Sequence, residues 1–223
     1  MQDSILRVQD VSKQVTTADT ELLILDSVSL AIKDGQSAAI IGPSGAGKST
    51  LLGLMAGLDA PSSGSIWMGS HNITDMDEEG RAKVRADLVG FVFQTFQLLT
   101  SLTAEENVAL PLELAGRRGA IGTAREFLKR VGLGERLTHY PKQLSGGEQQ
   151  RVAIARAFAC EPKILFADEP TGNLDRATGA TISDLLFELN AQSGTTLILV
   201  THENRLAERC AVQFTIDNGQ LQA

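Results

Sequence analysis

Residues 42–49 read Gly42-Pro43-Ser44-Gly45-Ala46-Gly47-Lys48-Ser49, the spacing GxxxxGK[ST]. Each residue type in this run has a reason. Glycines let backbone N–H groups approach phosphate oxygens and turn tightly. The start of a following helix adds further N–H groups and a positive dipole end. Lys48 supplies a point charge for β- and γ-phosphates, Ser49 offers a hydroxyl to Mg²⁺, and Thr50 adds an α-phosphate contact. The chemistry implied is the binding of a nucleoside triphosphate with its metal.

Residues 164–169 read Ile-Leu-Phe-Ala-Asp-Glu. An apolar run ending in two acids delivers carboxylates to the ligand edge of a parallel sheet. Asp168 suits a water-mediated hold on Mg²⁺. Glu169 suits a general base for the attacking water, a role worth roughly 10²–10⁴-fold in rate. By itself this pattern also describes a plain solvated strand end, and the phosphate loop is what gives it meaning. Between the two lies Leu144-Ser145-Gly146-Gly147-Glu148-Gln149, a helix start with little steric bulk. Ser145 and the open N–H groups there form an anion site of the same kind. An isolated Ser-Gly-Gly reads equally well as a simple serine cap.

These residues need elements to hold them. Residues 5–11 and 22–30 have strand composition, and 37–41 is a short buried strand ending at Gly42. Residues 48–57 form a helix stopped by glycine, so the first motif lies on a strand–loop–helix unit. Residues 65–68 and 89–93 read as strands, with a charged helix over 77–88 between them. From there to about residue 160 the texture is helical. Helices are expected over 104–115, with Pro111 as a kink, over 123–131 with Thr123 as its cap, and over 146–160. Residues 116–122 read as a loop in which Arg117 and Arg118 are solvated charges. Strands at 164–167, 196–200 and 213–217 then alternate with helices at 176–192 and 204–209. The expected fold is α/β: a mainly parallel sheet with an N-terminal antiparallel β lobe and an inserted helical lobe. The expected organisation is a single domain, with 1–88 and 161–223 as core lobe and 89–160 as helical lobe.

Composition sets limits. The chain has 223 residues, 43% hydrophobic and 21% charged, with net charge −7 and pI near 5.0. The acidic balance argues against a nucleic-acid partner, which calls for a basic face. No apolar run reaches the roughly 18–20 residues of a membrane helix, and the first ten residues lack the charge and apolar pattern of a secretory signal. Cys160 and Cys210 are not paired as CxxC and read as free thiols. Trp67, His71 and His139 have no spaced partner set and read as packing or surface residues.

Taken together, the phosphate loop, Gln94, the LSGGEQQ run, the ILFADE strand, Asn173-Leu174-Asp175 and His202 resemble the ATP-binding subunit of ABC transporters over nearly the whole chain. The resemblance implies a P-loop ATPase that uses ATP and Mg²⁺. It implies that Gln94 sits near Mg²⁺ and the attacking water, and that His202 contacts the γ-phosphate. Ser145 and Gly147 would reach the γ-phosphate of a second copy, with Asp175 at the dimer seam. The implied assembly is an ATP-bound homodimer driving an integral-membrane permease, cytoplasmic and peripheral on the inner face of the membrane. A regulatory ABC ATPase that signals through a membrane partner without transport would share these motifs. The runs 90–94, 106–108, 167–175 and 199–202 are similar to the bacterial lipoprotein-release and macrolide-export ATPases. Met76-Asp77-Glu78-Glu79 matches an uncharacterised branch of that subfamily.

The chain departs from the family at one place. Family members stack adenine on an aromatic residue upstream of the phosphate loop, a position that falls near Val15, with Gln14 and Thr16 beside it. Base–aromatic stacking is worth roughly 1–3 kcal/mol in nucleic-acid binders. Weak adenine selectivity follows: GTP should compete with ATP at comparable concentration in a nucleotide competition assay, and a strong ATP preference would refute this.

Overall fold

The structure is a computed structural model that describes residues 4–16 and 21–222. Residues 1–3, at the start of the run read for a signal, lie outside it. The chain forms two compact units, Met1–Val89 with Thr196–Ala223, and Gly90–Thr195.

In the first unit, β1 (Ser4–Thr16) and β2 (Glu21–Lys33) pair antiparallel. β4 (Ser63–Met68) adds to β1, and β5 (His71–Asn72) to β4, giving the order β2-β1-β4-β5. Both long strands extend beyond their apolar cores. Leu6, Val8, Val11, Leu25, Val28, Leu30 and Ile32 are buried, alternating with polar positions as a half-buried sheet requires. The pairing is irregular at Asp10 and Ser27, both with positive φ. Hydroxyls take the displaced N–H groups there: Asp10 N–H donates to Ser29 Oγ at 2.8 Å and Ser27 N–H to Ser12 Oγ at 2.9 Å.

The same unit holds β3 (Ser37–Ile41), which pairs parallel with both β8 (Thr196–Val200) and β9 (Val212–Asp217). The short β10 (Gln220–Leu221) closes a hairpin on β9. β3 and β8 are nearly continuous apolar runs with both faces covered, the signature of a buried parallel strand. Helix α1 (Lys48–Met55) follows β3, α2 (Glu78–Leu88) is capped by Asp77, and α7 (Asn204–Ala207) is a single turn anchored by buried Leu206 and Ala207.

The second unit contains β6 (Val89–Phe93) from Gly90 onward and β7 (Ile164–Asp168), neighbouring strands with Phe91 stacked on Phe166 at 5.8 Å. Helices α3 (Ala104–Leu114), α4 (Ala120–Arg130) and α5 (Gly146–Ala159) pack together, and α6 (Arg176–Ser193) contacts α5. α3 opens with a Thr103–Glu106 capping box and runs through Pro111. Buried Asn107 donates to the carbonyls of Leu99, Leu102 and Thr103, fixing the preceding loop.

Two expectations need correction. α4 begins at Ala120, not Thr123, and its cap is Gly119 in the left-handed region with no side-chain bond. Ala120, Ala124 and Leu128 form a buried i, i+4 stripe, so packing demands the earlier turn; Thr123 lies inside it, its N–H donating to Gly119 O. The last helix ends at Ala207 rather than residue 209.

Among the described residues, no helix is long and apolar enough to cross a membrane, and no cluster of three His, Cys, Asp or Glu side chains could hold a metal. Cys160 is half-buried, Cys210 buried, and both are free thiols.

Gly64 gives a test of this sheet. Its φ is +84°, and a Cβ there would lie 2.4 Å from the carbonyl oxygen of Asp10. Gly64→Ala should lower stability by about 1–3 kcal/mol, read from urea unfolding; an unchanged midpoint would mean the β1–β4 pairing at Asp10 relaxes freely.

Candidate functional site

In the first unit the site is built at one edge of the parallel strands. Ile40 pairs with Val200, so Gly42 and His202 each lie two residues beyond the same rung. Thr201 N–H donates to Ile40 O at 3.2 Å and Thr201 is fully buried, which fixes where the chain leaves toward exposed His202. Gly42 has no room for a side chain: a Cβ would meet Ile216 O at 2.0 Å.

From Gly42 the chain wraps back on itself. Ala46 N–H donates to Pro43 O at 3.3 Å, and Gly45 and Gly47 take positive φ. Gly47 is the cap of α1 and offers no side chain to its first turn, which carries no acidic residue. A Cβ on Gly47 would stand 2.8 Å from Leu25 Cδ2. Ala46, Gly47 and Lys48 are buried, while Ser44, Gly45 and Ser49 are exposed at the rim and Thr50 is half-buried. Lys48 is only 8% exposed, and its Nζ donates to Gly42 O at 2.9 Å and Pro43 O at 2.8 Å. Two of its three protons are thus spent on loop carbonyls. An uncapped helix start beside a buried ammonium, with no acid in the first turn, is suited to phosphate oxygens.

In the second unit, β6 delivers Gln94 and β7 delivers Asp168 and Glu169, the two acids being half-buried. Glu169 has φ +46°, an uncommon conformation for a non-glycine residue and a form of backbone strain that concentrates at functional sites. The turn after it is closed by Gly172 N–H to Glu169 O at 3.0 Å and Leu174 N–H to Thr171 O at 3.0 Å. Asp175 then caps α6, accepting from Ala177 and Thr178 N–H groups. Its hydrogen bonds to Thr178 hold its carboxyl below the ordinary aspartate range.

Ser145 caps α5 within a capping box, so within the chain itself it is the simple cap that Ser-Gly-Gly also allows. Its Oγ donates to Glu148 Oε2 at 2.8 Å, and its N–H donates to the same oxygen at 2.8 Å. Arg136 Nε binds Glu148 Oε1 at 3.1 Å. The Ser145 bonds, backbone first, then side chain, with Arg136 beyond them, pull the Glu148 carboxyl down to about 2. A Cβ on Gly147 would stand 2.5 Å from Thr178 Cγ2, so any side chain there requires Thr178 to move. Fully buried Gln150 donates to Pro170 O at 2.6 Å and so ties α5 to the turn behind Glu169. The Ser145/Glu148 box is legible as S-x-x-E; the roles of Arg136 and Gln150 depend on contacts between elements and leave no local signal.

A family model described as ABC transporter matches residues 25–172. The chain belongs to that family. An uncharacterised ABC transporter ATP-binding protein, YbbA of Escherichia coli K12, is 54% identical over 222 residues, spanning 99% of this chain and 97% of that protein. The lipoprotein-releasing system ATP-binding protein LolD of Legionella pneumophila strain Lens is 48% identical over 227 residues, spanning 100% and 99%. A solved dimeric structure of the ATP-binding cassette MJ0796, in a post-hydrolysis state with ADP and Pi bound, superposes with a TM-score of 0.90 at 40% identity, covering 98% of this chain and 97% of that one. The fold is the ABC ATPase fold, and the chain is an ATP-binding ATPase subunit of the ABC transporter type.

The Glu148 charge has a measurable consequence. Its folded pKa lies below the ordinary 4.5, so the carboxylate stabilises the fold above about pH 4.5, and that contribution is lost as pH falls toward about 2. Glu148→Gln should melt below wild type near neutral pH, with the gap closing on acidification toward about pH 3. A gap constant with pH would show that the charge contributes nothing.

Proposed function

We propose that this chain is the ATP-hydrolysing subunit of a bacterial ABC system, closing as an ATP-bound homodimer to drive an integral-membrane permease. The observation that carries this reading is the phosphate loop: buried Lys48 beside the side-chain-free cap of α1. The chain is then a single ATPase domain, cytoplasmic and held peripherally at the inner membrane face through its permease, with no nucleic-acid partner.

In this mechanism Gly42, Pro43, Ser44, Gly45, Ala46 and Gly47 enclose the triphosphate with main-chain N–H groups. Lys48 leaves the Gly42 and Pro43 carbonyls for the β/γ oxygens, and Thr50 meets the α-phosphate. Mg²⁺ would be held by Ser49, Gln94 and Asp168 and would neutralise charge on the β- and γ-oxygens. Glu169 takes a proton from the attacking water as its oxygen bonds to the γ-phosphorus, the bond to the β-phosphate oxygen breaks, and ADP and phosphate result. His202 contacts the γ-phosphate. Ser145 and Gly147 of a second copy complete the site, which requires the Ser145 hydroxyl to turn from Glu148 toward phosphate.

Glu169→Gln should keep ATP binding, lose hydrolysis by about 10²–10⁴-fold, and trap the closed dimer. Tagged Glu169→Gln, captured with ATP from detergent-solubilised membranes and analysed by mass spectrometry, should carry one permease. Wild-type hydrolysis by this variant would remove Glu169 from the role of base. Soluble partners alone, with ATP-dependent dimerisation intact, would replace transport by a signalling role.

A further inference from the structure

Gln94 and Asn173 form a reciprocal pair across 79 positions of sequence. Asn173 Nδ2 donates to the backbone carbonyl of Gln94 at 2.9 Å, and Gln94 Nε2 donates to Asn173 Oδ1 at 3.2 Å. The Gln94 side chain also lies flat on Gly172, where a Cβ would meet Nε2 at 2.7 Å and Cδ at 3.2 Å. Two amides are commonly ambiguous in orientation, but this network fixes both. A backbone carbonyl only accepts, so Asn173 must turn Nδ2 toward it and Oδ1 toward the Gln94 side chain. Oδ1 only accepts, so Gln94 must answer with Nε2. Oε1 is the end left available, and the pair is solvent-exposed, so a ligand can reach it. An amide oxygen is a ligand for a hard cation; an amide nitrogen is not.

We infer that Asn173 is a positioning residue that sets the amide orientation of Gln94, presenting Oε1 toward Mg²⁺ and tying β6 to the turn that carries Glu169. That turn is closed at Gly172 and Leu174, held at Pro170 by Gln150, and continued into α6 by Asp175. Gln94 is therefore referenced to the same short segment as the base, and a displacement of either is felt by the other. Gly172 is part of the device, because any side chain there would lift Gln94 off the turn.

The inference rests on the ATPase reading for its consequence and on the amide pair for its mechanism, and two measurements separate them. In nucleotide-free protein, the Gln94 side-chain NH₂ resonances, assigned by their loss in Gln94→Ala, should shift in Asn173→Ala and show faster solvent exchange. In a Glu169→Gln background, the ratio of ATP affinity with Mg²⁺ to that with EDTA should fall about threefold to tenfold in Asn173→Ala, the worth of one or two partly solvated hydrogen bonds. Affinity in EDTA should stay at its reference value, which a merely structural role would not allow. Asn173→Asp keeps the acceptor but sets a carboxylate against the Gln94 carbonyl, and should not rescue. Adding Asn173→Ala to Gln94→Ala should change the ratio no further. Unmoved Gln94 resonances would overturn the pair itself. Moved resonances with an unchanged Mg²⁺ ratio would overturn the positioning role. A parent protein that fails to bind ATP would instead overturn the ATPase reading, whatever the resonances show.

Discussion

The parallel pairing of β3 with β8 and β9 is the constraint on which the first unit depends. It brings Ile40 to Val200 and Ile41 to Thr215 and forces the chain to leave the sheet beside Ile216. Only glycine can make that exit, since the Ile216 carbonyl fills the place of a Cβ. Everything after Gly42 inherits this position: the wrap of the loop, the side-chain-free start of α1, and the burial of Lys48. The same rung sets where the chain departs toward His202. A buried parallel ladder is stiff because its backbone bonds are shielded and both faces are packed, so a catalytic loop can be strained and exposed at its edge without moving the edge.

The second unit achieves rigidity differently. Its turn from Glu169 to Asp175 is short and irregular, and it is held by side chains rather than by a ladder. Gln150 grips Pro170 from α5, Asn173 grips Gln94, and Asp175 caps α6. Gly146 and Gly147 allow the starts of α5 and α6 to approach closely, with Thr178 occupying the space a side chain would need. Polar groups of this kind stabilise only when satisfied. The cost of losing one is therefore spread over Glu169, Gln94 and the helix starts together.

Charge is distributed with the same economy. The phosphate loop carries no acid in the first turn of α1. The start of α5 carries Glu148, held by Ser145 and Arg136. The two helix starts resemble each other in glycine content, yet one is open to an anion and the other already holds a carboxylate. Under the proposed mechanism, Ser145 could serve a phosphate only if its hydroxyl left the Glu148 carboxylate, which Arg136 also holds.

The family was legible in the chain because phosphate binding imposes local rules: glycines where backbone must approach oxygen, lysine at a fixed offset, acids at the end of an apolar strand. Strand and helix positions followed from periodicity and composition. The start of α4 was misread because Thr123 is a good local cap, whereas the buried stripe of Ala120, Ala124 and Leu128 belongs to packing against other helices. The left-handed Glu169, the Gln150–Pro170 bond, the Arg136–Glu148 pair and the Gln94–Asn173 clamp were equally out of reach. Each joins residues distant in sequence or fixes a backbone angle that no propensity favours. Sequence determines which groups are present and at what local spacing. Which of them meet, and which end of an amide faces the ligand, is decided only when the elements pack.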